Sequence, residues 1–90
     1  MIATRPYEKN ASDANTQLKV FSSGSIVFIQ NLGNLNGEMV IYDMMGRKLK
    51  KVTFGPYGIS AVQMNTIPGA YVVNAATTNE RVSKRIILGN

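Results

Sequence analysis

The 90-residue chain contains no cysteine and no histidine. Those absences remove thiol chemistry, disulfides, zinc sites of the Cys/His type and any nucleophile–histidine pair. A chain without cysteine fits every redox compartment and selects none. Long apolar runs are missing as well. Ile26-Val27-Phe28-Ile29 and Tyr71-Val72-Val73 fall far short of the roughly 20 residues that a membrane-spanning helix needs. The opening stretch, MIATRPYEKN, has no apolar signal core. If the protein is exported, its entry signal is expected on a longer precursor.

Acidic residues are scarce: Glu8, Asp13, Glu38, Asp43 and Glu80. The first two fall in a polar leader. Glu38 and Asp43 are five apart on one expected strand, so they point to opposite faces. No carboxylate pair suggests acid–base work or metal binding. The serines have no histidine to activate them, and no glycine-rich stretch opens a helix as a phosphate loop does. The chain is therefore expected not to be an enzyme and to need no cofactor or metal.

What remains is ordinary globular material. Hydrophobic residues make up 44 % and charged residues 17 %, which argues against disorder of the whole chain. One domain is expected. At this size it buries roughly 60 % of its unfolded surface, enough for one modest core. The net charge of +5 favours acidic partners or anionic surfaces in general. It does not choose between nucleic acid, lipopolysaccharide and an acidic protein.

Residues 1–16, MIATRPYEKNASDANT, show no apolar period and read as a flexible linker. From Gln17 to Asn90 the pattern changes to short β-rich runs between turn residues. The runs are Leu18–Ser22, Ser25–Asn31, Glu38–Asp43, Leu49–Phe54, Ile59–Met64, Ala70–Thr77 and Val82–Leu88. Seven short strands at this spacing predict an all-β, Ig-like antiparallel β-sandwich. Asp43-Met44-Met45-Gly46 suits a type I turn, with Gly46 free to take φ > 0 and close a hairpin with a bulge. Gly55-Pro56-Tyr57-Gly58 also suits type I. Ile67-Pro68-Gly69-Ala70 suits type II, with glycine third. Asn36-Gly37 and Thr78-Asn79 supply two further turn signals.

Two strands carry a parity conflict. Val52 and Phe54 share a face, whereas Leu49 has the opposite parity. A bulge near Lys50-Lys51 would bring all three into the core and leave the cations outside. Ile26 and Phe28 face one way, Val27 and Ile29 the other, so one of these pairs needs cover. Cations cluster as Arg47, Lys48, Lys50, Lys51 and as Arg81, Lys84, Arg85. Single-strand nucleic-acid binding would need exposed aromatics among them. Tyr42, Phe54 and Tyr71 read as core, so solvated strand edges that resist aggregation are the better account, and no nucleic-acid partner is expected. Lys84 shares parity with Val82, Ile86 and Leu88, which predicts a snorkelling position at the sandwich rim.

The second half of the chain resembles a known family. Val40-Ile41-Tyr42-Asp43-Met44-Met45-Gly46-Arg47 is similar to a strand-turn signature, apolar-x-Tyr-Asp-x-x-Gly-Arg. Ile67-Pro68-Gly69-Ala70-Tyr71-Val72-Val73 is similar to a Leu-x-x-Gly-x-Tyr-apolar-apolar motif. Ser83-Lys84-Arg85-Ile86-Ile87-Leu88 is similar to a terminal basic-apolar-apolar ending. In order and spacing the three resemble the C-terminal sorting domain of cargo proteins of the type IX secretion system of Bacteroidetes. The resemblance covers roughly residues 18–90 and is strongest from 39 on. Many members begin with apolar-Tyr-Pro-Asn-Pro, where this chain has Val20-Phe21-Ser22-Ser23-Gly24. That departure touches the subclass. Either Lys84 or Arg85 matches the family's terminal basic residue.

The resemblance implies an exported protein. It would cross the periplasm, be recognised by the outer-membrane type IX translocon and its shuttle protein, and lose this domain to a sortase-like protease at the cell surface. The cut would fall within residues 1–17, between the parent cargo and the sorting domain. The residues the resemblance assigns to recognition are Gly46, Gly69, Tyr71, Lys84, Arg85, Ile86, Ile87 and Leu88. Their simplest structural roles are turn glycines and core. Exposed strand edges also allow self-association. The competing expectation is an Ig-like carbohydrate-binding or adhesion module of a surface protein, resting on Tyr57 and Tyr7. A purely structural spacer is the third.

Overall fold

A computed structural model describes residues 16–89. The N-terminal part of the expected linker, including Tyr7 and most of the expected cleavage region, lies outside the described residues.

The seven strands are β1 (Leu18–Ser23), β2 (Ile26–Asn31), β3 (Gly37–Asp43), β4 (Lys48–Phe54), β5 (Gly58–Gln63), β6 (Gly69–Ala76) and β7 (Arg81–Leu88). Every boundary falls within one residue of the expected one. All pairings are antiparallel. They form a three-stranded sheet, β1-β2-β5, and a four-stranded sheet, β4-β3-β6-β7. The protein is an all-β sandwich.

The core follows from alternation. On β2 and β3 the inward residues are Val27, Ile29, Met39 and Ile41. On β6 and β7 they are Tyr71, Val73, Ala75, Val82, Ile86 and Leu88. Leu18, Val20, Phe54 and Met64 complete the layer. Burying a side chain of the Val, Leu or Ile class contributes about 1.5–3 kcal/mol against leaving it in water. This layer is what offsets chain ordering in so small a domain.

The parity conflict of β2 resolves without an outside partner. Val27 and Ile29 are the buried pair. Phe28 faces outward and stacks on Phe21 of the neighbouring strand, with ring centroids 5.0 Å apart and planes 10° from parallel. The two rings cover each other, as facing aromatics on one sheet surface do.

Two core expectations need correction. The register shifts from Ile41↔Lys50 to Tyr42↔Lys48, so the unpaired residue is Leu49 itself. The bulge does not carry Leu49 inward: Leu49 is exposed, and only Phe54 of β4 is fully buried. The reason is width. Four strands face three, and β4 is the edge farthest from β7. Even Lys50, which shares the inward parity of Val52 and Phe54, is exposed, so no layer covers this half of β4. Tyr42 is the second correction. It alternates with the buried Ile41 and lies half-buried on the outer face.

Glycine is required by space at one position. A Cβ on Gly37 would lie 2.4 Å from the Ala76 carbonyl oxygen and 2.4 Å from the Phe54 ring. Gly37 therefore begins β3 where Phe54 seals one end of the core.

Candidate recognition surface

Register brings the three distant motifs to one end of the larger sheet. Asp43 of β3 pairs with Tyr71 of β6, which pairs with Ile86 of β7. Ala70 pairs with Ile87, and Gly69 with Leu88. The end of β3, the start of β6 and the end of β7 thus lie side by side. Asp43, Arg47, Leu49, Ile67 and Tyr71 line one open cleft of about 340 Å³ there. The described chain enters at the opposite end, where Gln17 and Leu18 meet Glu80.

The β3–β4 turn is built by Asp43. Gly46 N–H donates to the Asp43 carbonyl at 3.0 Å, and Asp43 N–H to the Arg47 carbonyl at 3.0 Å. The Asp43 carboxylate accepts the N–H groups of Met45 and Arg47, each at 2.9 Å. Arg47 Nε donates to its second oxygen at 2.7 Å. Gly46 has φ +89°, the left-handed geometry that closes a hairpin with a bulge. The carboxyl of Asp43 is held below its ordinary value of 3.8. The first cause is the Arg47 backbone N–H, helped by the Arg47 side chain and the Met45 N–H and opposed by desolvation.

The other two expected turns depart from their types. Tyr57 takes φ +52°, which a type I turn excludes at its third residue. Its N–H donates to the Gly33 carbonyl at 3.0 Å, and that bond holds the unusual conformation. Gly69 has φ +154°, more extended than a type II turn, and opens β6. The glycine remains necessary, because the angle stays in the range that side chains rarely adopt.

The residues that the resemblance assigns to recognition divide by exposure. Tyr71, Ile86 and Leu88 are buried, and the Tyr71 hydroxyl donates to the Ile67 carbonyl. Lys84 is half-buried, and its Nζ donates to the Val20 carbonyl at 2.9 Å, the rim position that its parity predicts. Arg85 and Ile87 face outward, Ile87 at 65 % exposure. Around them the same end exposes Met44, Met45 at 82 %, Leu49 and Ile67 at 81 %. Arg47 follows the β3–β4 turn, and Lys48 and Arg85 lie in one row of the sheet through Tyr42 and Val72. A partner docking here touches methionines, isoleucines and cations. Ile86 and Leu88 face the core, and Tyr71 shows only the small part that lines the cleft.

Sequence reasoning missed the residues that organise the entry end. Asn31 is 2 % exposed. Its Nδ2 donates to the Leu35 and Gly55 carbonyls at 2.8 and 2.9 Å, and its Oδ1 accepts the Gly33 N–H at 2.9 Å. It ties the β2–β3 loop to the β4–β5 loop. The available signal was an asparagine on an inward parity position, since a buried amide demands such partners. Glu80 accepts the N–H groups of Gln17 and Leu18 at 3.1–3.2 Å. Thr77 Oγ1 shapes its turn by accepting from Asn79 and Glu80.

Among the described residues no cluster of three or more acidic residues could hold a metal ion, and no helix is long and apolar enough to cross a membrane. No family model matches the chain, and no curated protein matches it.

Proposed function

We propose that this chain is a C-terminal secretion signal that directs a cargo protein through the type IX translocon. The sortase-like protease then removes it at the cell surface. The observation that carries this reading is the convergence described above. Three motifs that span residues 40–88 meet at one end of one sheet, beside exposed Met45, Ile67 and Ile87. The cargo side of the chain joins the opposite end. A label that must be read while attached benefits from that separation. The translocon or its shuttle protein would contact the distal end, with Arg85 and Ile87 reading out and Gly46, Gly69 and Tyr71 holding the shape.

The test is a reporter. Residues 1–90 are fused behind a fluorescent protein with its own periplasmic signal, in a type IX-competent bacterium and in a translocon-deficient strain. Surface reporter, trimmed by the mass of this domain and only in the competent strain, is the expected result. Reporter retained in the periplasm of both strains rejects the function.

One observation favours a second reading. Tyr57 is 70 % exposed beside a cleft of about 310 Å³ shared with Gln30, Leu32 and Ile59. An exposed ring on a fixed loop can stack on a sugar face. A glycan-binding screen of the wild type against Tyr57→Ala tests it; a carbohydrate module requires a hit that the substitution removes.

A further inference from the structure

We infer that β5 is a self-association edge, and that two copies pair there antiparallel about Ala61. The sandwich has four edge strands: β1, β5, β4 and β7. Three are engaged or guarded. β1 and β7 hold each other through Ser22 Oγ to the Ile87 carbonyl at 3.0 Å, Lys84 Nζ to the Val20 carbonyl and Gly89 N–H to the Gly24 carbonyl at 2.9 Å. β4 carries Lys48, Lys50 and Lys51 and the bulge at Leu49, the devices that deter edge pairing. β5, GISAVQ, has no charge, no proline and no bulge. Among the described residues it pairs with β2 alone.

Charge selects a second copy as the occupant. Six cations lie on the strands of the larger sheet: Lys48, Lys50, Lys51, Arg81, Lys84 and Arg85. Lys19 is the sole charge on the strands of the smaller one. An acidic partner is drawn to the larger sheet. A second +5 chain can approach closely only where the charge is absent, which is the β5 edge.

Register selects the axis. Phe21, Phe28 and Ala61 form one outward row across the smaller sheet. A two-fold axis through Ala61 keeps outward residues on one side and extends that row into Phe28 and Phe21 of the second copy. It also pairs Ile59 with Gln63 and Ser60 with Val62. Ile59, 59 % exposed in the single chain, then gains Ile26 of the second copy as a neighbour one strand over, because Ile26 pairs with Gln63. The product is a six-stranded sheet with an apolar outer row.

Sedimentation equilibrium of the 90-residue chain tests this. A dimer is expected, weakened about tenfold by Ala61→Lys, which sets two cations opposite each other on the axis, and unchanged by Thr53→Lys on β4. Ala61 is exposed, so circular dichroism should show an unaltered fold. The chain has no cysteine, so Ala61→Cys is a clean second probe: it should oxidise to a covalent dimer far faster than Thr53→Cys. A monomer up to about 1 mM, a dimer indifferent to Ala61→Lys, or equal oxidation rates would each overturn the inference. None of these outcomes depends on whether the reporter is exported.

Discussion

At the scale of single residues, polar side chains fix the loops while apolar ones fix the core. Asn31 satisfies two carbonyls and one N–H. Asn31→Ala leaves them without that partner and is expected to cost about 2–3 kcal/mol in urea unfolding. Gly46 sits at φ +89°, so Gly46→Ala should cost about 1 kcal/mol by the same measurement. Asp43 makes the turn acid-sensitive. Its carboxyl titrates lower in the folded chain than in the unfolded one. Its stabilisation is therefore complete above the unfolded value and is lost as pH falls through the folded value. Between about pH 5 and about pH 2 the wild type should lose more stability than Asp43→Asn, with unfolding midpoints as the readout. Gly46 and Asp43 were legible because the turn's chemistry is local. Asn31 was not, because its partners at Leu35 and Gly55 come from two different loops, and nothing local marks an inward asparagine as satisfied.

At the scale of elements, alternation and turn residues located every strand, since each run is short and punctuated. Burial on β4 was misjudged. Parity states which face a side chain takes, but whether that face has cover depends on how many strands stand opposite. Leu49 was placed in the core for lack of that count, whereas Tyr42 was placed there against its own parity, which is opposite to that of the buried Ile41. The last strand shows the same distinction in a way that matters for recognition. Val82, Ile86 and Leu88 build the core, whereas Arg85 and Ile87 are exposed. Arg85→Glu combined with Ile87→Glu should abolish surface delivery of the reporter and shift stability by no more than about 0.5 kcal/mol. Ile86→Ala should instead destabilise by about 3 kcal/mol. A double variant that is exported normally would remove this strand from the recognition surface. The three motifs were visible one by one in the sequence. Their meeting at one end was not, because it depends on β3 pairing with β6 and β6 with β7.

At the scale of the whole molecule, charge is sorted by sheet. Lys19→Glu and Arg81→Glu change net charge by the same amount, from +5 to +3. Arg81 belongs to the cation-rich sheet and Lys19 stands alone on its own. On a cation exchanger Arg81→Glu should elute at clearly lower salt, because a concentrated patch binds more strongly than its net charge implies. Equal elution would show that the sheets do not differ in field. The seam between β1 and β7 bears on something else. Any tug from a protein joined ahead of Thr16 enters the sandwich along β1. That strand's six ladder pairs with β2 lie across the direction of pull, so they are loaded together in shear. Glu80, Lys84 and Ser22 add cross-links to the opposite sheet. Drawing β1 out along its own axis therefore requires the six pairs and these cross-links to give way together.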